Sequence, residues 1–161
     1  MPIAQLISPQ ALDLKKETPG LVILDCRFAL EDPDYGQRSY AEGHIAGSSF
    51  ADLERDLSGA VVKGVTGRHP LPEPEKLIER LQAWGINADS EVVLYDDGPG
   101  AYAARAWWLL AWLGKRDGVF ILDGGLKAWH AAGLPLSLDP PSINRGTFTG
   151  TPDASLVLSS K

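Results

Sequence analysis

Three short runs in this chain are apolar or aromatic at every position: Leu21-Val22-Ile23-Leu24, Val92-Val93-Leu94-Tyr95 and Val119-Phe120-Ile121-Leu122. Each is followed at once, or at its end, by an aspartate: Asp25, Asp96 and Asp123. A strand with one wet face alternates apolar and polar residues, whereas a strand covered on both faces does not. The runs therefore predict strands at the centre of a parallel sheet. Gln5-Leu6-Ile7 and Ser48-Ser49-Phe50 are weaker strand candidates.

Helical signals fall between the runs. Ser8-Pro9 is a helix start, with serine as cap and proline in the first turn. Pro72 to Trp84 carries Leu77, Leu81 and Trp84 at helical spacing with Ile78 beside them, and Gly85 stops it. Tyr102 to Leu113 is apolar nearly all round and ends at Gly114, which predicts a buried helix. Leu126 to Ala132 forms a short helix before Gly133. Alternating strands and helices make an α/β three-layer domain: a mainly parallel five-stranded sheet with helices on both faces.

In such a domain chemistry sits where a strand feeds a helix N-terminus, because backbone N–H groups and the helix dipole converge there. That loop here is Asp96-Asp97-Gly98-Pro99-Gly100-Ala101. It offers carboxylates and neither a thiol nor a hydroxyl. Asp96 or Asp97 is expected to cap the following helix.

The chain has 161 residues and a formal net charge of -6, enough for one core and the wrong sign for nucleic acid or an anionic membrane surface. Its one cysteine, Cys26, excludes an internal disulfide and a cysteine-based zinc cluster. Neither a metal nor a cofactor is expected. The N-terminus shows no signal-peptide pattern and no apolar segment reaches membrane-spanning length, so a cytoplasmic location is expected. After Pro135 the chain turns rich in Pro, Gly, Ser and Thr, which is linker chemistry. Residues 1–137 are accordingly expected to form the domain and 138–161 a linker toward a missing second domain, with a floppy tail as the alternative.

Four segments, taken in order, resemble the rhodanese family of sulfurtransferases. They are Leu24-Asp25-Cys26-Arg27, then Tyr40-Ala41-Glu42-Gly43-His44-Ile45-Ala46-Gly47, then Val93-Leu94-Tyr95 with its loop. The fourth is Leu122-Asp123-Gly124-Gly125-Leu126-Lys127-Ala128-Trp129 with Gly133-Leu134-Pro135. The resemblance spans Ile3 to Leu136, and Ala46 departs from the family's usual proline. Gly67-Arg68-His69-Pro70-Leu71-Pro72 and Arg105-Ala106-Trp107-Trp108-Leu109-Leu110 are similar to the first half of the tandem two-domain members, the thiosulfate and 3-mercaptopyruvate sulfurtransferases. In those, the resemblance implies, a cysteine heading the loop of the second domain accepts sulfane sulfur as a persulfide and passes it to a thiophilic acceptor. The first domain has lost that cysteine, and here Asp96 stands at its position.

The resemblance also assigns roles. Asp25 and Arg27 belong to a structural Asp-x-Arg element, and His44 is implied to fix a turn rather than to catalyse. Arg68, His69 and Asp52 are implied to face the substrate cleft, where a His–Asp pair could orient a proton relay and Arg68 could attract a small anionic sulfur substrate. Ordinary exposed loop residues are the competing reading. Arg105, the lone charge on an apolar helix, must be paired if buried, and Asp25, Asp96 or Asp123 is the expected partner. Cys26 reads as a small core residue. Of Trp107 and Trp108, one is expected to face the sheet.

Three functions compete. The first is half of a two-domain sulfurtransferase, inactive alone. The second is a stand-alone binding or regulatory module of the same fold. The third is a Mg²⁺-dependent phosphohydrolase using the strand-end aspartates, which lacks both an Asp-x-Asp nucleophile and a lysine in a phosphate loop.

Overall fold

The computed structural model describes residues 5–29, 31–58, 71–141 and 143–153. Five strands and five helices alternate among them: β1 (Gln5–Ile7), α1 (Pro9–Lys15), β2 (Val22–Asp25), α2 (Tyr35–Glu42) and β3 (Ser48–Phe50), followed by α3 (Pro74–Ala83), β4 (Val92–Tyr95), α4 (Ala101–Trp112), β5 (Val119–Leu122) and α5 (Gly125–Ala131). The strands pair in parallel in the order β1-β5-β4-β2-β3. This is the expected α/β three-layer architecture, with the three apolar runs in the middle.

The two-residue period of a strand divides its side chains between two cores. Val22, Leu24, Val92 and Leu94 face α3 and α4, where Leu77, Leu81, Leu109 and Leu110 meet them. Ile23, Val93 and Tyr95 face the other layer and pack with Leu12, Ile45, Leu126 and Trp129. Because all strands run the same way, their C-terminal ends share one edge of the sheet. Asp25, Asp96 and Asp123 are carried there.

The helix starts follow local chemistry. Ser8 Oγ accepts a hydrogen bond from Ala11 N at 3.1 Å, capping α1 ahead of Pro9. Helix α3 begins at Pro74, two residues after the expected start, because Glu73 is still extended. Helix α2 had no apolar period to announce it. Gly36 is its one buried residue, and a Cβ there would lie 2.0 Å from the carbonyl oxygen of Arg27.

The stretch read as a linker is docked as far as Asp153. Gly146 N donates to Gln82 O at 2.7 Å, Phe148 N to Ile86 O at 3.0 Å and Asp153 N to Trp112 O at 2.7 Å. The Phe148 ring is part of the α3/α4 core. A Cβ at Gly146 would lie 2.2 Å from Ile86 O, and one at Gly150 2.1 Å from Leu113 O. The packed unit thus continues past the boundary expected at residue 137. Pro, Gly and Ser exclude regular elements without excluding contact with the core. No helix among the described residues is long and apolar enough to cross a membrane.

Candidate functional site

The loop from Asp96 to Ala101 joins β4 to α4 at the C-terminal edge of the sheet. The Asp96 side chain turns inward and is 1% exposed. Its Oδ1 accepts from Gly98 N at 3.1 Å, and its Oδ2 accepts from Tyr102 N and Ala103 N, both at 3.0 Å. Three backbone N–H groups therefore converge on one carboxylate at the start of a twelve-residue helix. Gly100, at φ +100°, makes the left-handed turn that admits the chain to α4. Asp96 is the cap of α4, and Asp97 serves elsewhere: its Oδ2 accepts from the Tyr35 hydroxyl at the start of α2. A cavity of about 450 Å³ opens beside the loop, bounded by Asp96, Pro99, Gly100, Leu6 and Asp123. Such a cradle would hold a thiolate well. Filled by a carboxylate, it has no atom that can form a persulfide.

Behind the loop lies a buried polar network. Arg27 Nε and Nη2 clamp Asp25 at 2.7–3.1 Å, and the same Nη2 donates to Gly43 O at 2.7 Å. The Tyr95 hydroxyl donates to Asp25 Oδ2 at 3.0 Å, accepts from Ile45 N at 3.1 Å and lies 3.2 Å from Ser48 Oγ. Burial raises the Asp25 carboxyl above its ordinary range, against the lowering pull of Arg27. Burial also pulls the Arg27 guanidinium down, but its bonds to Asp25 outweigh this and leave it raised. Tyr95 is pushed well up by burial and by Asp25. Cys26, 1% exposed, is pushed well up by burial, then by Asp25 and Asp96. Its sulfur sits in the core as a protonated thiol.

His44 is 2% exposed. Its Nδ1 lies 2.9 Å from Tyr40 O and its Nε2 2.7 Å from Asp139 O, and its ring stacks on Tyr40 at 3.9 Å. Backbone bonds to Ser137 in both directions complete an antiparallel bridge. The imidazole ties the turn before β3 to the stretch after α5.

Asp52, 4% exposed, follows β3 at the same sheet edge. Its Oδ1 caps the turn behind it, accepting from Glu54 N at 2.8 Å and Arg55 N at 3.1 Å, and its Oδ2 meets Arg55 Nη2 at 3.2 Å. Arg68 and His69, the proposed companions of Asp52, lie outside the described residues. Arg105 does not pair with Asp25, Asp96 or Asp123. Its Nε and Nη2 donate to Leu57 O at 3.1 and 3.0 Å, and Nη2 reaches Ser58 Oγ at 3.3 Å. The first two of those aspartates already have donors from Arg27, Tyr95 and the loop backbone, so this arginine turns to the segment after β3.

Asp25 and Asp96 both direct their oxygens at protein donors. Among the described residues no three His, Cys, Asp or Glu side chains converge as metal ligands would. No such cluster supports the phosphohydrolase reading among the described residues. Tyr35, Tyr95 and Arg55 hold the edge together, a role that neither composition nor periodicity assigns them. Tyr95, the one polar tip at the end of an apolar run, was the available signal.

An α/β sheet with a helix-capped anion cradle at its C-terminal edge defines a class of domain, and comparison with known proteins identifies the family. The model of the Rhodanese-like domain matches residues 8–132, and the chain belongs to the rhodanese family. It is 65% identical over 158 residues to a probable 3-mercaptopyruvate sulfurtransferase of Pseudomonas aeruginosa, covering 98% of this chain and 56% of that protein. It is 34% identical over 137 residues to the 3-mercaptopyruvate sulfurtransferase of Escherichia coli K12, covering 82% of this chain and 46% of the relative. The crystal structure of SseA from Escherichia coli, a 3-mercaptopyruvate sulfurtransferase, superposes with a TM-score of 0.84 at 30% identity, covering 98% of this chain and 59% of that one. The chain spans about half the length of the curated relatives it matches.

Proposed function

We propose that this chain forms the non-catalytic first half of a two-domain sulfurtransferase. In the complete enzyme, sulfane sulfur passes from 3-mercaptopyruvate or thiosulfate to a cysteine of a second rhodanese-like domain, and from that persulfide to a thiophilic acceptor. This half supplies one wall of the cleft, with Asp52, Arg68 and His69 belonging to that wall, and works in the cytoplasm. The observation that carries the reading is Asp96. It occupies the cradle in which a sulfur-accepting cysteine would sit, and Cys26, the chain's one thiol, is buried.

The test is thiocyanate formation by this chain from thiosulfate or 3-mercaptopyruvate with cyanide. Turnover at background is expected from the chain alone, with activity appearing when a second domain bearing a loop cysteine is supplied. Robust turnover by the chain alone overturns the reading.

A further inference from the structure

The aspartates stand at the C-terminal edge of the sheet. At the opposite edge, where β2 and β3 begin, lies a cavity of about 230 Å³. The residues that follow α3 close it on one side and the stretch Ile143-Asn144-Arg145 on another. Neither Asp96 nor Asp52 reaches it.

Two side chains lining this cavity are buried without a partner. Ser49 is 7% exposed, and its hydroxyl makes no hydrogen bond among the described residues. It stands in register with Leu24, and registered residues of parallel neighbours share a face of the sheet. The Ser49 side chain therefore lies on the α3 face, where Leu24 and Trp84 belong to one core. Trp84 is 5% exposed, and its indole N–H, which can only donate, is also unbonded among the described residues. Buried polar groups are ordinarily hydrogen-bonded, so two orphans on one cavity wall point to a partner that enters the cavity.

The remaining polar groups narrow what that partner is. Asn87 Oδ1 accepts from Thr147 N at 2.8 Å and from Thr147 Oγ1 at 3.0 Å. The backbone donor fixes which end of the amide is oxygen, and Asn87 Nδ2 is left as a spare donor. Arg145, exposed at the rim, gives Nη2 to Gln82 Oε1 at 2.9 Å and makes no other hydrogen bond among the described residues. It is the one charged residue of the lining, and no carboxylate stands against it there. Spare donors and a single positive charge call for a ligand with acceptors and a single negative charge. Leu21, Ile143 and the Trp84 ring add apolar surface for a short hydrocarbon body.

We propose that this cavity binds a small monocarboxylate, its oxygens accepting from Ser49, Trp84 and Arg145 and its short apolar body lying against Leu21 and Ile143. The site is separate from the Asp96 cradle, and binding there does not depend on the function proposed above.

The test follows the Trp84 indole N–H by proton–nitrogen NMR while the 161-residue chain is titrated with propionate. Propionamide serves as the uncharged isostere and inorganic phosphate as the competing anion, and Trp84→Phe assigns the signal. A saturable shift with propionate is expected, weakening as salt rises. Ser49→Ala should weaken propionate binding about tenfold, as for a hydrogen bond to a charged group. Its own unfolding midpoint should stay at or above that of the parent, because the free protein loses no hydrogen bond. Arg145→Gln should weaken binding about threefold, as for an exposed ion pair. The proposal is overturned by the absence of a saturable shift with propionate, or by binding indifferent to both variants. Equal saturation by propionamide, or tighter saturation by phosphate, overturns the carboxylate. A Ser49→Ala protein that unfolds more easily than the parent shows a hydroxyl already partnered, and that also overturns it.

Discussion

The carboxylate of Asp96 lies 3.0 Å from the backbone N–H of Ala103, seven residues further along, and fills the N-terminus of α4. A carboxylate is thus built into the helix N-terminus where three backbone N–H groups converge to hold one.

Removing that anion should cost stability. Asp96→Ala leaves three N–H groups without their acceptor, and a loss of about 1–3 kcal/mol is expected by urea denaturation. Asp96→Asn, which keeps one acceptor oxygen, should lose less. In Asp96→Cys the new thiol, facing the helix N-terminus, should alkylate with iodoacetamide at neutral pH. Cys26, whose thiol burial pushes well up, should react in neither protein until it unfolds. Mass mapping of the alkylated residue decides between them.

The Asp25–Arg27 pair makes a pH-dependent claim. Burial raises the folded-state pKa of Asp25 above its unfolded value. The folded protein therefore holds the proton over a window in which the unfolded chain releases it, and stability falls as pH rises through that window. Arg27 limits the effect. In Arg27→Gln, Asp25 loses its cation and its pKa rises further, so the stability deficit should be largest at neutral pH, about 3–5 kcal/mol. It should shrink as pH drops below the raised pKa, where a protonated Asp25 needs no cation. Chemical denaturation of both proteins across the acid range measures this, and a deficit independent of pH would show that Asp25 does not titrate there.

The docked segment after Pro141 should behave as part of the core. Phe148→Ala is expected to cost about 3–4 kcal/mol, as for a buried aromatic side chain, and to lower the midpoint of a single unfolding transition. Gly146→Ala should also destabilise, because its Cβ would collide with the Ile86 backbone. A separate early transition in Phe148→Ala would mean that the segment detaches without disturbing the sheet.

Much of this domain could be read from local pattern. The strands β2, β4 and β5 were legible because burial on both faces leaves an unbroken apolar run. Helices α3, α4 and α5 were placed within two residues at each end. Helix α2 was hidden because its docking depends on a missing side chain at Gly36 rather than on an apolar stripe. The partner of Arg105 was misjudged for a related reason. Charge complementarity pointed to a carboxylate, and the fold offered the Leu57 carbonyl oxygen.

Composition and periodicity along the chain thus define which segments are buried, on how many faces, and where a helix can begin, since each depends on residues within a turn or a strand of one another. They also place a carboxylate, and not a thiol, at the head of the β4–α4 loop. Which groups face that carboxylate, which aspartate caps and which ties down α2, and whether the stretch beyond Pro141 hangs free or packs all depend on contacts between distant residues. Tyr35 meets Asp97 across 62 positions and His44 meets Asp139 across 95. Such pairings exist only after the sheet has brought both ends of each pair to the same edge, and no local preference encodes them.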